Sequence, residues 1–488
     1  MRARTTREEN VAGPPAAGGP TGPQTAGTPA GGRPVPQAAD PATNRPEGAG
    51  PPRLRTADRQ QLLSPMTIDD LLEANHPARA VWRFALGLDL TTLYDRIRSR
   101  GPSAGRPAID PRVLVALWLY ATLAGVRSAN ALADLCVHHD VYFWLAGGLA
   151  VNAHTLSDFR VQDGDFLERL LKHSVEVLRR QGLVDLSRVA QDGMRVRAGA
   201  GAASFRRRET LEKLLQQAQD TVARLQPEPD VAADPDVVQE VRTQEQEREP
   251  SAQQQGAARR HARERVERIR QALRRMPAME AKKRKAGTKK GRKKEQARVS
   301  TTDPEATVMK MADGGYRPAY NLQFSTSCRD QVIVGVGVVT EGTDQGQLAP
   351  MLDQIEERFG ERPQEALVDG GFASHDDIEQ VQRAAGSCKV YAPVPRPKKE
   401  GVDRHEPKRT DSAAVAEWRR RMGSAEAKEI YKGRGATAEC VNAQAHNRGL
   451  VQLAVRGLEK VRAIALWFAT VHNMARSFVL QPQPLPTG

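Results

Sequence analysis

A chain of 488 residues has room for two or three domains and a sizeable buried core. Its formal net charge of +14 and sequence pI near 9.8 describe a field that concentrates polyanions, and nucleic acid is the partner this implies. Four scattered cysteines without a CxxC pair argue against a disulfide framework or a zinc site, and no run of about 18 apolar residues or signal-peptide core is evident, so a reducing cytoplasm and no membrane are expected.

Residues 1–55 are rich in Pro, Gly, Ala and Thr, with few large apolar side chains to offset the entropy of ordering, so a disordered tail is expected there. A helical N-terminal domain is expected over 56–180. In IDPRVLVALWLYATLAG, Asp110 stands as N-cap, Pro111 takes the first helical position and Gly125 ends the helix. SANALADLCVHH begins a second helix from Ser128, and NAHTLSDFR a third. Short helices joined by a glycine-containing turn resemble a helix-turn-helix, which would set one helix in a DNA major groove. Plain helical packing produces the same pattern.

An α/β domain is expected over 181–480, with a short tail over 481–488. LSRVAQD alternates as a strand and runs into Gly193. A charged block, 205–300, then interrupts: FRRRETLEKLLQQAQDTVARL is helical, QPEPDVAADPD breaks it, and KKRKAGTKKGRKKEQAR closes it. That last run holds ten basic residues and one acid between Lys282 and Arg298. Its cations, among them Lys282, Lys283, Arg284, Lys285, Lys289 and Lys290, read as a phosphate-binding arm or as a solvated charged segment. After it, YNLQFSTS and QVIVGVGVVTEG are strands, QLAPMLDQIEERFG a helix, EALVDGG a strand, DDIEQVQRAAG a helix and KVYAPVP a strand. The charged block is therefore an insertion between the first two strands.

Two strands ending in Asp192 and Asp369 can lie side by side, which would put both carboxylates at one edge of the sheet. Carboxylates held close repel and rise in pKa unless a cation sits between them, and a divalent magnesium or manganese ion suits oxygen ligands. Gly193, Gly370 and Gly371 would leave space for a phosphodiester backbone, although Asp-Gly also marks ordinary turns. Further on, YKGRGATAECVNAQAHNRGL places Asn442 and His446 three and seven residues after Glu439, on one helical face, with Arg434 five before it and Arg448 nine after. The C-terminal stretch repeats Val461, Ile464, Phe468, Val471 and Met474 at helical spacing. An amphipathic helix covering the sheet is expected there, with Trp467 and Phe468 in the core.

Together these residues resemble the DDE transposases of bacterial insertion sequences, in the branch with a tyrosine-arginine-glutamate signature. Asp192 in VAQDGMRV is similar to that family's first aspartate, Asp369 in LVDGGFAS to its second, and Glu439 in YKGRGATAE, behind Tyr431 and Arg434, to its glutamate. STTDPEATVMKMADGGYRPAYNLQ is similar as well, and the resemblance spans about residues 60–480. It implies a ribonuclease-H-like core carrying a helical insertion after the first strand, preceded by an all-α domain. It further implies double-stranded DNA as partner, a homodimer in the DNA complex and a cytoplasmic, nucleoid-associated location. Where that family often has lysine seven residues after the glutamate, this chain has His446.

The chemistry so implied uses Asp192, Asp369 and Glu439 to hold two Mg2+ or Mn2+ ions about 3.5–4 Å apart, one activating the nucleophile and one stabilising the leaving oxygen. Water would cut a transposon end, and the freed 3′-hydroxyl would attack target DNA. Arg434 would bind a phosphate, Tyr431 would pack on the DNA backbone, and His446 and Arg448 are further candidates for DNA contact. Two other readings use the same residues: a metal-dependent nuclease that cuts without joining, and a non-catalytic DNA-binding regulator.

Overall fold

Helices begin where the capping residues lie. Asp110 accepts a hydrogen bond from the Arg112 amide and one of 2.7 Å from the Tyr94 hydroxyl, which satisfies an otherwise orphaned amide at the helix start. The computed structural model describes residues 53–60, 62–63, 66–101, 107–225, 252–287, 296–383, 388–397 and 401–481. Nearly all of the expected N-terminal tail, the QPEPDVAADPD break, Lys289, Lys290 and residues 482–488 lie outside the described residues.

The longer N-terminal helices are α1 (Pro77–Leu86), α2 (Pro111–Leu123), α3 (Ala129–His138), α4 (Asp140–Ala146), α5 (Ala153–Val161) and α6 (Gly164–Arg180), with a five-residue helix, Thr91–Asp95, between the first two. Ser128, Asn152 and Asp163 cap α3, α5 and α6 through their side chains. The main sheet comprises β1 (Arg188–Arg197), β2 (Thr307–Lys310), β3 (Tyr316–Ser327), β4 (Ile333–Val339), β5 (Glu365–Leu367) and β6 (Lys389–Tyr391). Its order is β4-β3-β1-β5-β6, with β2 pairing β3. The β3 strand is antiparallel to β1, β2 and β4, whereas β5 is parallel to both β1 and β6.

Between β1 and β2 come α7 (Arg208–Arg224) and α8 (Ala252–Gly287), which pack together. After β4 follow α9 (Leu348–Phe359), α10 (His375–Arg383), α11 (Ala413–Gly423), α12 (Ala425–Arg434), α13 (Cys440–Asn447) and α14 (Leu458–Leu480). Alternation along β3 sorts its side chains by face. Tyr320, Leu322 and Phe324 join a hydrophobic cluster with α1–α5 and α14, while β1, β5 and β6 share a second cluster with α9–α12. Helix α6 links the two, giving Phe166 and Leu170 to the first and Val175 and Leu178 to the second. The hairpin of α7 and α8 has its own small cluster around Leu211, Val266, Ile269 and Met276.

Helix α14 differs from the amphipathic helix expected. Every residue from Ala465 to Met474 is buried, polar Thr470, His472 and Asn473 included. Over this stretch it is covered on one side by β4 and on the others by α2, α5 and α6, whereas Lys460, Arg462, Phe478 and Val479 towards its ends are exposed. Trp467 sits in this core as expected and donates Nε1–H to the Arg160 carbonyl at 3.0 Å. By length and composition α14 alone among the described helices could cross a membrane, but its apolar surface is spent on this internal contact.

Candidate active site

Asp192 does not end a strand. Strand β1 runs on through Gly193 to Arg197, so the carboxylate projects from the strand's middle. Its neighbour β5 is parallel, with Leu367 opposite Ala190, and continuing that register sets Asp369 level with Asp192 just beyond the last paired residue. The two aspartates thus meet through strand pairing, as the sequence pattern implied, but at the centre of one strand and past the end of the other.

The glycine after Asp192 is required for a reason other than the one expected. A Cβ at Gly193 would lie 2.2 Å from Asp344 Oδ1, 2.4 Å from Gln323 Nε2 and 2.8 Å from Asn321 Oδ1. Buried polar side chains already fill the space beside it. Asn321 and Gln323 each donate to Asp344 Oδ1 at 2.7 Å. Asp344 Oδ2 faces the second aspartate's loop: a Cβ at Gly371 would be 2.9 Å from Asp369 Oδ1 and 3.6 Å from Asp344 Oδ2. The Gly371 amide in turn donates to Asp369 Oδ1 at 2.7 Å. Gly370 does face open space. Asp344 is therefore a fourth carboxylate at this edge, and sequence reading missed it because TDQGQL looks like the polar approach to a helix. One signal was available in NLQFS, where Asn321, Gln323 and Ser325 recur at period two in a buried strand.

The glutamate arrives through an irregular helix. Between α12 and α13 the residues Gly435–Glu439 form a π-helical turn. At about 100° per residue an α-helix would set Arg434 and Glu439, five apart, on different faces. The wider π turn brings them together. Arg434 Nη1 lies 2.9 Å from Glu439 Oε1 and Nη2 lies 3.3 Å from Asp192 Oδ2, so one guanidinium bridges two of the three expected carboxylates. Asn442 donates Nδ2–H to Asp192 Oδ2 at 3.1 Å, and the Gly193 amide donates to Asp192 Oδ1. Asp192 is half-buried, whereas Glu439 is exposed.

Burial pushes the Asp192 carboxyl up to about 6; Arg434 and the Gly193 amide oppose this, and the negative charges of Asp369 and Asp344 add to it. Burial also disfavours charge on Arg434, but Asp192, Tyr431, Asp369 and Glu439 outweigh it and raise its pKa. The Tyr431 hydroxyl is raised by burial, with Arg434 opposing and Asp369, Asp192 and Glu439 reinforcing. These couplings put Tyr431, Arg434, Asp192, Asp369 and Glu439 in one electrostatic cluster.

The donors here are hard carboxylate oxygens, the type suited to magnesium or manganese. Among the described residues, however, no three His, Cys, Asp or Glu side chains stand close enough to hold an ion. The positive charge beside Asp192 is Arg434. The donor chemistry fits a divalent ion, and Glu439 would have to leave Arg434 to complete its shell.

Residues 66–162 match a family model described as a transposase domain (DUF772). The match supports a transposase family. It carries with it DNA as a partner in general terms, and it covers the helical layer, ending before Asp192. No curated protein and no solved structure matches the chain.

Other residues singled out in the sequence stand apart from the carboxylates. His446 is exposed one helical turn beyond Asn442, which donates to Asp192. Arg448 is half-buried and turns to the helical layer: it lines a cavity of about 50 Å3 with Trp118, Trp467 and Phe468, its Nη1 has no partner, and burial lowers its pKa. A DNA-contacting role for Arg448 does not agree with that position. Lys282, Lys283 and Arg284 are exposed on the last turns of α8, and Lys285 continues the same helix.

Proposed function

We propose that this chain is a DDE transposase with a ribonuclease-H-like core, cutting DNA at the ends of an insertion sequence and joining them to target DNA. The observation that carries the reading is the convergence of Asp192, Asp369 and Glu439 on one sheet edge, the aspartates through parallel strand register and the glutamate through Arg434. The mixed sheet, three antiparallel strands continued by two parallel ones, and the transposase-domain match over 66–162 support it further.

In this reading Asp192, Asp369 and Glu439 would hold the ions, once Glu439 leaves Arg434. Divalent ions bound there would supply activation of the attacking hydroxyl and charge relief on the leaving oxygen. Asn442 and the Gly193 amide orient the Asp192 carboxylate. Asp344, anchored by Asn321 and Gln323, adds negative charge beside the Asp369 loop. Arg434 neutralises Asp192 and Glu439 before substrate arrives and then turns to a backbone phosphate, an exchange of one anionic partner for another. Tyr431 packs beside it against the DNA backbone.

The test is a strand-transfer assay on the gene's own flanking DNA, with Mg2+ and with chelator. Joined products that need the metal and vanish in Asp192→Asn are the expected result. Metal-dependent cutting without joining would make the chain a nuclease, and DNA binding with neither would make it a regulator.

A further inference from the structure

The α7 and α8 hairpin has no part in the carboxylate cluster, and its two helices are charged very differently. Helix α7 carries three basic and three acidic residues, whereas α8 carries nine Arg and three Lys against three Glu. Packing accounts for only one side of α8: Ala262, Val266, Ile269, Ala272 and Met276 are buried against α7 and its surroundings. Arg260, Arg263, Arg270 and Arg274 are exposed. At about 100° per residue these four fall within roughly a quarter turn, so they form a stripe along the helix. Glu267 lies in the stripe and pairs with Arg274, and Glu264 pairs with Arg268 at its border. The balance remains strongly positive.

The direction of the stripe gives it meaning. At the far end of α8, beyond Pro277, Lys282 Nζ lies 4.0 Å from Glu341, in the loop that carries Asp344 to the sheet edge. Counted at about 1.5 Å per residue, the path from Arg260 to Lys282 is about 33 Å. Phosphates on one DNA strand advance by about 3.4 Å, so this length matches about ten base pairs, close to one turn of duplex.

We propose that this face of α8 is a docking surface for duplex DNA, lying along about one turn of the duplex and leading away from the carboxylate edge. Its relation to a cleavage point rests on the function proposed above; the docking itself does not. A row of guanidinium groups on a helix held by its own apolar face complements a polyanion of regular spacing, and it contacts backbone without reading bases.

The experiment measures binding of the full chain to a random-sequence 30-base-pair duplex across a salt series in chelator, so no cleavage intervenes. The variant R260Q/R263Q/R270Q/R274Q should reduce the slope of log affinity against log salt by about three to four units, at about 0.9 per phosphate contact. A control, R83Q/K408Q/R409Q/K460Q, removes four exposed cations elsewhere and should change the slope by less than about one unit. Circular dichroism checks that both variants fold. Should the first not fold, R263Q/R270Q should still lose about two units. An unchanged slope, or equal losses in both variants, would overturn the proposal. Polyglutamate displacing the duplex as well as unlabelled duplex does would also overturn it, by making the face a general polyanion surface. Failure here would leave the carboxylate reading standing, since that is judged by metal-dependent joining and by Asp192→Asn.

Discussion

At the sheet edge, Asp192 is half-buried, faces Arg434 and Asn442, and feels Asp369 and Asp344; on α8, Arg263 and Arg270 stand in solvent on a helix whose apolar side is already packed. Both regions are densely charged, yet the physics differs. Charges taken out of water interact strongly, and each depends on where its neighbours are. Charges in solvent are screened and contribute nearly independently. Substitutions at the sheet edge should therefore act as a unit, and those on the hairpin should add.

The largest effect expected is on catalysis. Asp192→Asn, Asp369→Asn and Glu439→Gln should each reduce metal-dependent cleavage by about a thousandfold or more, and double variants should be no worse than singles, as for groups acting together. DNA affinity should stay near wild type. Near-normal cleavage by any one of them would remove that residue from the site.

Next comes stability, where the two regions should separate. Trp467→Ala, which empties a core site and frees the Arg160 carbonyl, should cost about 3–5 kcal/mol in global unfolding. Ile269→Ala should cost about 2–4 kcal/mol, with faster hydrogen exchange confined to α7 and α8, because their cluster is separate. If Ile269→Ala speeds exchange in β1 and β5 as well, the hairpin is not an independent unit.

A smaller effect tests the buried charge. The Asp192 pKa is raised from 3.8 to about 6, so protonation favours the folded state. Its stabilising contribution is complete below about pH 4 and lost as pH rises through 6, a change on the order of 3 kcal/mol. Metal-free wild type should lose stability relative to Asp192→Asn over that interval, measured by denaturant unfolding at several pH values. A difference that does not vary with pH would show that Asp192 is not electrostatically strained.

The smallest effect belongs to the end of the arm. Replacing Lys282, Lys283 and Arg284 by Gln should reduce the salt slope of DNA binding by less than about three units, at about 0.9 each, equally for specific and random DNA. Loss of end preference with an unchanged slope would mean that these residues read bases.

Much of the local structure was legible in advance. Asp110, Ser128 and Asn152 cap helices because a side-chain oxygen two or three residues from an orphaned amide acts locally. The strands at LSRVAQD, YNLQFSTS and EALVDGG follow from alternation and β-branched content, and the run of charge from Phe205 announced a segment outside the strand sequence. Asp192 and Asp369 stood out because glycine follows each at the end of an apolar run, and Glu439 because it follows Tyr431 and Arg434 in a stretch similar to a family signature.

What tertiary structure alone decided depends on residues far apart in the chain. Strand β1 continues past Asp192 because β3 pairs with it as far as Arg197, overriding the turn signal of Asp-Gly. Gly193 is needed because Asp344, about 150 residues later, rests on it. Arg434 meets Glu439 because a π turn shifts the helix by one residue, which no periodicity count anticipates. The middle of helix α14, residues 465–474, is buried on every side because two layers close on it, whereas its sequence could report only which residues are apolar. Capping and alternation are interactions over a few residues and are written into the chain. Register, helix phase and the placing of one charge against another are set by contacts between distant segments, and those exist only once the chain has folded.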